Sequence, residues 1–154
     1  RLKMNGQEKI HIRKMLPEDA KAAAALEKAC FSQPWDEQTF REYAEHPDIC
    51  YMTAWDGQRL VGNCGVRNIV GEGEITNVAV DVDYRSQGLA RCLMEALLEQ
   101  GAEMGITAFT LEVRNGNEPA IRLYESLGFV QEGLRRNFYE NPKEDARIYW
   151  KRDR

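Results

Sequence analysis

The 154-residue chain has two histidines, His11 and His46, and four cysteines that form no Cys-x-x-Cys pair. This scarcity removes the usual donors of a zinc centre, so no metal is expected, and it offers no disulfide framework. Cys30, Cys50, Cys64 and Cys92 each stand among apolar residues and read as small buried hydrophobes. No apolar run approaches the ~20 residues that span a bilayer, and no signal-peptide pattern precedes the first strand; a cytoplasmic protein without membrane contact is expected. Positive charge is not in surplus either. Lys and Arg number 21 against 25 Asp and Glu, a net charge of −4 that argues against a nucleic-acid partner and suits a basic peptide. Neither GxxxxGK(S/T) nor GxGxxG occurs, which excludes a lysine-and-metal phosphate loop and a dinucleotide fingerprint.

What is present is the composition of a packed core, 43% hydrophobic and 30% charged, in a length that supports one domain. Residues 1–9 are expected as a flexible lead and 10–154 as a single domain. IHIRKM (10–15) alternates as a strand. Pro17 opens an alanine-rich helix, and after the FSQPW loop Asp36 is placed to cap a second. Asp56-Gly57 marks a hairpin turn, and GEGE (71–74) is expected as another turn leading into the strand ITNVAVDV. A helix from about Gly88 to Met104, a strand over 106–114, a helix capped by Asn117 and ended by Gly128, and two last strands complete the chain. The order β-α-α-β-β-β-α-β-α-β-β predicts an α/β (mixed α+β) fold. Its central sheet is mixed and largely antiparallel, with about seven strands and helices on both faces.

The join DVDYRSQGLAR (81–91) carries an Arg-x-x-Gly-x-Ala pattern where a strand becomes a helix. Free N–H groups of Ser86, Gln87, Gly88, Leu89, Ala90 and Arg91 at a helix start can converge on an anion, and small residues at 88 and 90 let it approach. Such a nest suits a pyrophosphate without metal or lysine.

This loop, with FSQPW (31–35), NVAVDVDYRSQGLAR (77–91), LEVRNGN (111–117), LYESLGF (123–129) and RRNFY…EDARI (135–148), resembles the GNAT acetyltransferase superfamily. Within it, the chain is most similar to RimI-type ribosomal-protein-alanine N-acetyltransferases. The resemblance implies acetyl-CoA as cosubstrate, its pyrophosphate on Ser86 to Arg91 with Arg85 as a positioning residue. It also implies a pantetheine arm along the backbone of Val78, Ala79 and Val80, with the Val80 N–H polarising the thioester. Glu112 corresponds to the family's general base. By its own surroundings it would instead face solvent or pair with Arg114. Tyr124, by spacing a core aromatic, corresponds to the acid that protonates the leaving thiolate. Asn117 is a helix cap and a cofactor contact. Trp35 and Tyr139 lie in segments that resemble the substrate-side loops, where they would bracket a peptide N-terminus, with Glu27 attracting a basic chain. The implied partner is the N-terminal segment of a ribosomal protein, met by a monomer or weak oligomer. Direct attack of the amine on acetyl-CoA is expected. Another amine acceptor, or a non-catalytic acyl-CoA-binding module, remains the alternative.

Overall fold

The structure, a computed structural model, describes residues 2–4, 8–76 and 78–152. Among them the strands are β1 (Leu2–Met4), β2 (Glu8–Lys14), β3 (Ile49–Asp56), β4 (Arg59–Ile69), β5 (Glu72–Ile75), β6 (Ala79–Val80), β7 (Ala108–Arg114), β8 (Val130–Tyr139) and β9 (Glu144–Arg152). The helices are α1 (Ala20–Cys30), α2 (Glu37–Glu45), α3 (Leu89–Glu103) and α4 (Glu118–Ser126). One sheet runs β1-β2-β3-β4-β5-β7-β9-β8, with β6 beside β4. Among the described residues only β5 and β7 pair in parallel. The mixed, largely antiparallel sheet with helices on both faces is therefore as expected, but the described residues form nine strands rather than about seven. One extra strand comes from the lead, where Leu2–Met4 pairs with β2; residues 1 and 5–7 of that lead lie outside the described residues.

The other extra strand comes from a break in the expected run ITNVAVDV. The turn before it is Val70-Gly71, both at positive φ, so Glu72, Gly73 and Glu74 already belong to β5. Gly73 is needed there because a Cβ would sit 2.9 Å from Val66 and 3.0 Å from Ile106. Past Ile75 the ladder slips. Ile75 opposes Val66 and Ala79 opposes Asn63, so one strand spends an extra residue. Thr76 explains the slip: its hydroxyl takes the Gly65 N–H at 3.0 Å, where a strand carbonyl would otherwise accept. Asn77, the first residue of the segment 77–91, lies outside the described residues. Val82–Tyr84 then closes into a 3-10 turn instead of continuing the strand.

Strand alternation sorts two cores. Cys50, Met52 and Ala54 of β3 pack with Leu89, Leu93 and Leu97 of α3 and with Ile121 and Tyr124 of α4. Ile49 and Tyr51 pack with Ala20, Ala23 and Leu26 of α1 and with Phe40 of α2. Capping follows the sequence: Asp36 accepts the Thr39 N–H at 2.8 Å, and Gly105 and Gly128 take the left-handed conformation after α3 and α4.

Candidate active site

The site begins where the sheet divides. β7 pairs with β5 only as far as Glu74 opposite Thr110, then continues with β9 to Arg114. β6 stays with β4. A wedge therefore opens between β6 and β7, with α3 starting beyond its β6 side.

Backbone geometry fixes what β6 offers to this wedge. The Asp81 N–H donates to the Val61 carbonyl at 2.8 Å, so Val80, opposite Gly62, occupies the unbonded position of the ladder. Its N–H and C=O point away from β4. The carbonyl receives Arg85 Nε at 2.9 Å and the Cys30 thiol at 3.6 Å, while the N–H is directed into the wedge. Val78, two residues earlier in the same alternation, is half-buried, and Ala79 is buried. Arg85 thus ties its loop to the end of β6; its head turns back onto the chain.

Ser86 and Gly88 both have positive φ, 62° and 84°. This pair of left-handed turns delivers the chain to α3 with no side chain capping the helix. The first bond across its start runs from the Cys92 N–H to the Gly88 carbonyl, 3.2 Å, so the N–H groups of Leu89, Ala90 and Arg91 have no helical acceptor. Nothing lies within 4 Å of where a Gly88 Cβ would stand. Glycine is there for its φ, and the space above it is open. A pyrophosphate fits this combination of bare amides, positive helix end and clearance. The side chains around the loop are otherwise engaged: Gln87 donates to the Asp83 carbonyl, and Arg91 donates to Ser126 Oγ at 2.7 Å and meets Glu95 at 3.5 Å. Asn117 caps α4, accepting the Ala120 N–H at 3.4 Å.

Beside the wedge lies a groove of about 580 Å³, its walls including Trp35, Tyr43, Tyr51, Thr76, Glu112 and Arg135. Thr76 stands at the end of β5 where the wedge opens, so groove and wedge meet. Glu112 faces the groove because β7 alternates, with Leu111 and Val113 buried on the opposite side. Its partner is Arg135 of β8, Nε to Oε2 at 3.2 Å, reaching over Ile148 of β9. The expected partner, Arg114, is committed elsewhere. It donates to the carbonyls of Pro142 and Glu140, pairs with Glu144 at 3.3 Å, and lies 4.4 Å over the Tyr139 ring.

Tyr124 is buried, and burial raises its phenol above the ordinary value, with Cys64 and Tyr139 adding to the effect. Its hydroxyl makes no hydrogen bond among the described residues. Tyr139 is half-buried and pushed up to about 12, first by burial and then by the charge of Glu112, against the opposing pull of Arg114. Tyr139 thus links the two expected catalytic residues electrostatically. It does not line the groove, whereas Trp35 does, edge-on to Tyr43 at 5.5 Å. The two expected brackets do not face each other across the groove. Glu27, expected to attract a basic chain, is buried at 6% exposure. Arg135, Tyr51 and Thr76 escape sequence reading; only the Arg135-Arg136 pair before an aromatic gave any signal. Among the described residues no three His, Cys, Asp or Glu side chains gather as a metal-ligand set, and no helix is long and apolar enough to cross a membrane.

The sequence model of the Acetyltransferase (GNAT) family matches residues 20–129. A Bacillus subtilis (strain 168) protein is 34% identical over 143 residues, 92% of this chain and 95% of its own. The ribosomal protein bS18-alanine N-acetyltransferase of Escherichia coli (strain K12) is 36% identical over 132 residues, 84% of this chain and 88% of its own. The crystal structure of the ribosomal-protein-S18-alanine N-acetyltransferase from Escherichia coli superposes with a TM-score of 0.84 at 32% identity, covering 94% of each chain.

Proposed function

The chain belongs to the Acetyltransferase (GNAT) family, and from that premise we propose that it moves the acetyl group of acetyl-CoA onto the α-amine of an N-terminal alanine, with ribosomal protein bS18 as the acceptor in the cytoplasm. The observation that carries this reading is the junction of groove and wedge at Thr76. A carboxylate-lined groove, wide enough for a peptide end, opens there onto the strand edge along which an acyl carrier would lie. The Escherichia coli relative, matched in sequence and in crystal structure, is named for acetylation of this ribosomal protein's alanine and supports the choice of acceptor.

Acetyl-CoA supplies the activated thioester; the chain's residues do the rest. The amides of Leu89, Ala90 and Arg91, with Ser86 and Gly88 shaping their approach, hold the pyrophosphate. The edge of β6 runs beside the pantetheine arm, and the Val80 N–H, pointing away from β4, stabilises negative charge on the thioester oxygen. Glu112, held by Arg135 at 3.2 Å, collects a proton from the attacking nitrogen as the C–N bond forms. Tyr124 supplies a proton to the departing sulfur, and its phenol, raised by burial, remains protonated at neutral pH to do so.

The test is thiol release with acetyl-CoA across peptides that differ in their first residue. Turnover should be greatest on an alanine-initiated peptide copying the bS18 start. Preference for a lysine side chain or a polyamine over every α-amine would sink the assignment, and acetyl-CoA binding without turnover on any amine would favour a binding module.

A further inference from the structure

An α-ammonium loses two protons on becoming an amide, one before its nitrogen can attack and one as the C–N bond forms. In the reading above Glu112 collects the second, and the first has no assigned destination. Two buried polar groups fit that task, Tyr51 in the wall of the groove and Glu27 against the backbone of its wall residue Trp35. Glu27 lies on the same face of α1 as Ala20 and Ala23, 6% exposed, and touches the Trp35 backbone N–H. It has no cationic partner among the described residues. Tyr51 of β3 lines the groove at 5% exposure; its hydroxyl is buried without a hydrogen-bond partner and feels the charge of Glu27. Tyr43 from α2, Cys64 from β4 and Thr76 beyond β5 bear on the same hydroxyl. The charged side chains of the groove, Arg67, Glu72, Glu74, Glu112 and Arg135, make no ion pair with Glu27. Burial pushes the Glu27 carboxyl up to about 7, which lets it gain and lose a proton at neutral pH.

A buried carboxylate held only by a backbone N–H, and a buried hydroxyl whose side-chain neighbour Thr76 is already bonded to Gly65, are costly to a fold unless something else satisfies them. A primary ammonium has the right chemistry, since it donates to both and neutralises the one charge. We propose that Glu27 and the Tyr51 hydroxyl form the seat of the acceptor's ammonium group, and that Glu27 takes the first of its two protons. This rests on the acetyl-transfer reading. In the step an N–H bond breaks and an O–H bond forms on Glu27. The electron pair stays on nitrogen as the nucleophile's lone pair, and the neutral acid that results is the form burial favours. The second proton goes to Glu112. One of the two is matched by the proton that Tyr124 delivers to sulfur, and the other leaves to water after turnover.

Glu27→Gln and Tyr51→Phe test the seat, because glutamine keeps an acceptor for the Trp35 N–H and phenylalanine keeps the ring. At pH 7, Glu27→Gln should lower kcat/KM for the peptide about tenfold with KM for acetyl-CoA unchanged. The deficit should close toward pH 9, where an amine of pKa about 8 arrives neutral. Tyr51→Phe should raise the peptide KM alone. A Glu27→Gln profile parallel to wild type at every pH, or a deficit of unchanged size at pH 9, overturns the proposal.

A second readout does not need turnover. With carboxyl-labelled glutamate, an amine-bearing peptide should lower the apparent pKa of Glu27, while the same peptide with an acetylated N-terminus should not; equal titration in both overturns the seat. Should wild type prefer lysine side chains, the α-amine assignment falls, and both measurements are made on that amine instead.

Discussion

In the proposed function the chain meets acetyl-CoA with backbone between Ser86 and Arg91, and its acceptor with side chains along the groove from Trp35 to Arg135. The first region is one stretch of sequence, shaped by two positive-φ residues and the start of one helix. The second draws on α2, β3, β4, β5, β7, β8 and β9 and the loop at Trp35, with Glu27 of α1 against the Trp35 backbone. A backbone site tolerates many side chains and keeps one ligand. A side-chain site can change acceptor by changing a few residues while the cofactor half stays as it is. Mutations should therefore separate cleanly, with groove residues altering turnover or peptide affinity and loop residues altering acetyl-CoA affinity.

The largest effect is expected in the groove. Glu112→Gln should lower kcat about 100-fold at neutral pH with acetyl-CoA affinity retained, and recover only in part as pH rises, because the second proton still lacks an acceptor. Steady-state kinetics from pH 6 to 9 would measure this. Unchanged activity would remove Glu112 from the mechanism and leave its pairing with Arg135 as a structural tie.

The same region should make stability depend on pH. Burial pushes the Glu27 carboxyl up to about 7 in the folded chain, from an ordinary value of 4.5. Between those values the folded chain holds more protons than the unfolded one, so stability falls as pH climbs from about 4.5 to about 7 and is flat above. Glu27→Gln lacks this loss. Its advantage over wild type in urea melts should grow from near zero at pH 4.5 to about 2–3 kcal/mol at pH 8. A constant difference across that range would mean the carboxyl is not held in a dry site.

A crossed pair sharpens the contrast. Gly88→Val forces a β-branched residue to φ 84°, a strain of about 1–3 kcal/mol that distorts the amides at the head of α3. KM for acetyl-CoA should rise about tenfold with the peptide KM unmoved. Tyr124→Phe should do the converse, slowing kcat about tenfold with acetyl-CoA affinity intact. Either mutation moving both parameters would break the division into two halves.

The difference in material also explains what the sequence made legible. The geometry of the loop could be read from DVDYRSQGLAR because it lies in consecutive residues, a glycine that tolerates positive φ and a helix that starts uncapped. The break in ITNVAVDV could not, because each of its residues favours a strand. It arises from the Thr76 hydroxyl entering the ladder and from β7 ending its pairing with β5 at Thr110, while its other edge stays bonded to β9 throughout. Glu112 was singled out by resemblance, and its expected partner was Arg114, two residues away on the same strand, where the structure has Arg135. Arg135 reaches it only because β9 comes between β7 and β8. For Glu27, an alanine-rich helix gives little contrast between its faces, so its burial appears only once α1 is packed on the sheet.

The smallest expected effect concerns Arg85, and it tests how far the cofactor half depends on backbone. Its guanidinium bonds the Val80 carbonyl at 2.9 Å and approaches Cys30 Sγ at 3.7 Å, so its role here is to hold the loop against β6. Arg85→Ala removes one such bond, worth about 1 kcal/mol, and should raise KM for acetyl-CoA about fivefold. The dependence of that KM on salt should not change, because no charge directed at the pyrophosphate has been lost. A charge acting directly on the anion predicts otherwise: a loss well beyond tenfold, with a visibly shallower salt dependence. That result would move Arg85 from the scaffold to the ligand and make the pyrophosphate seat, like the groove, a site of side chains.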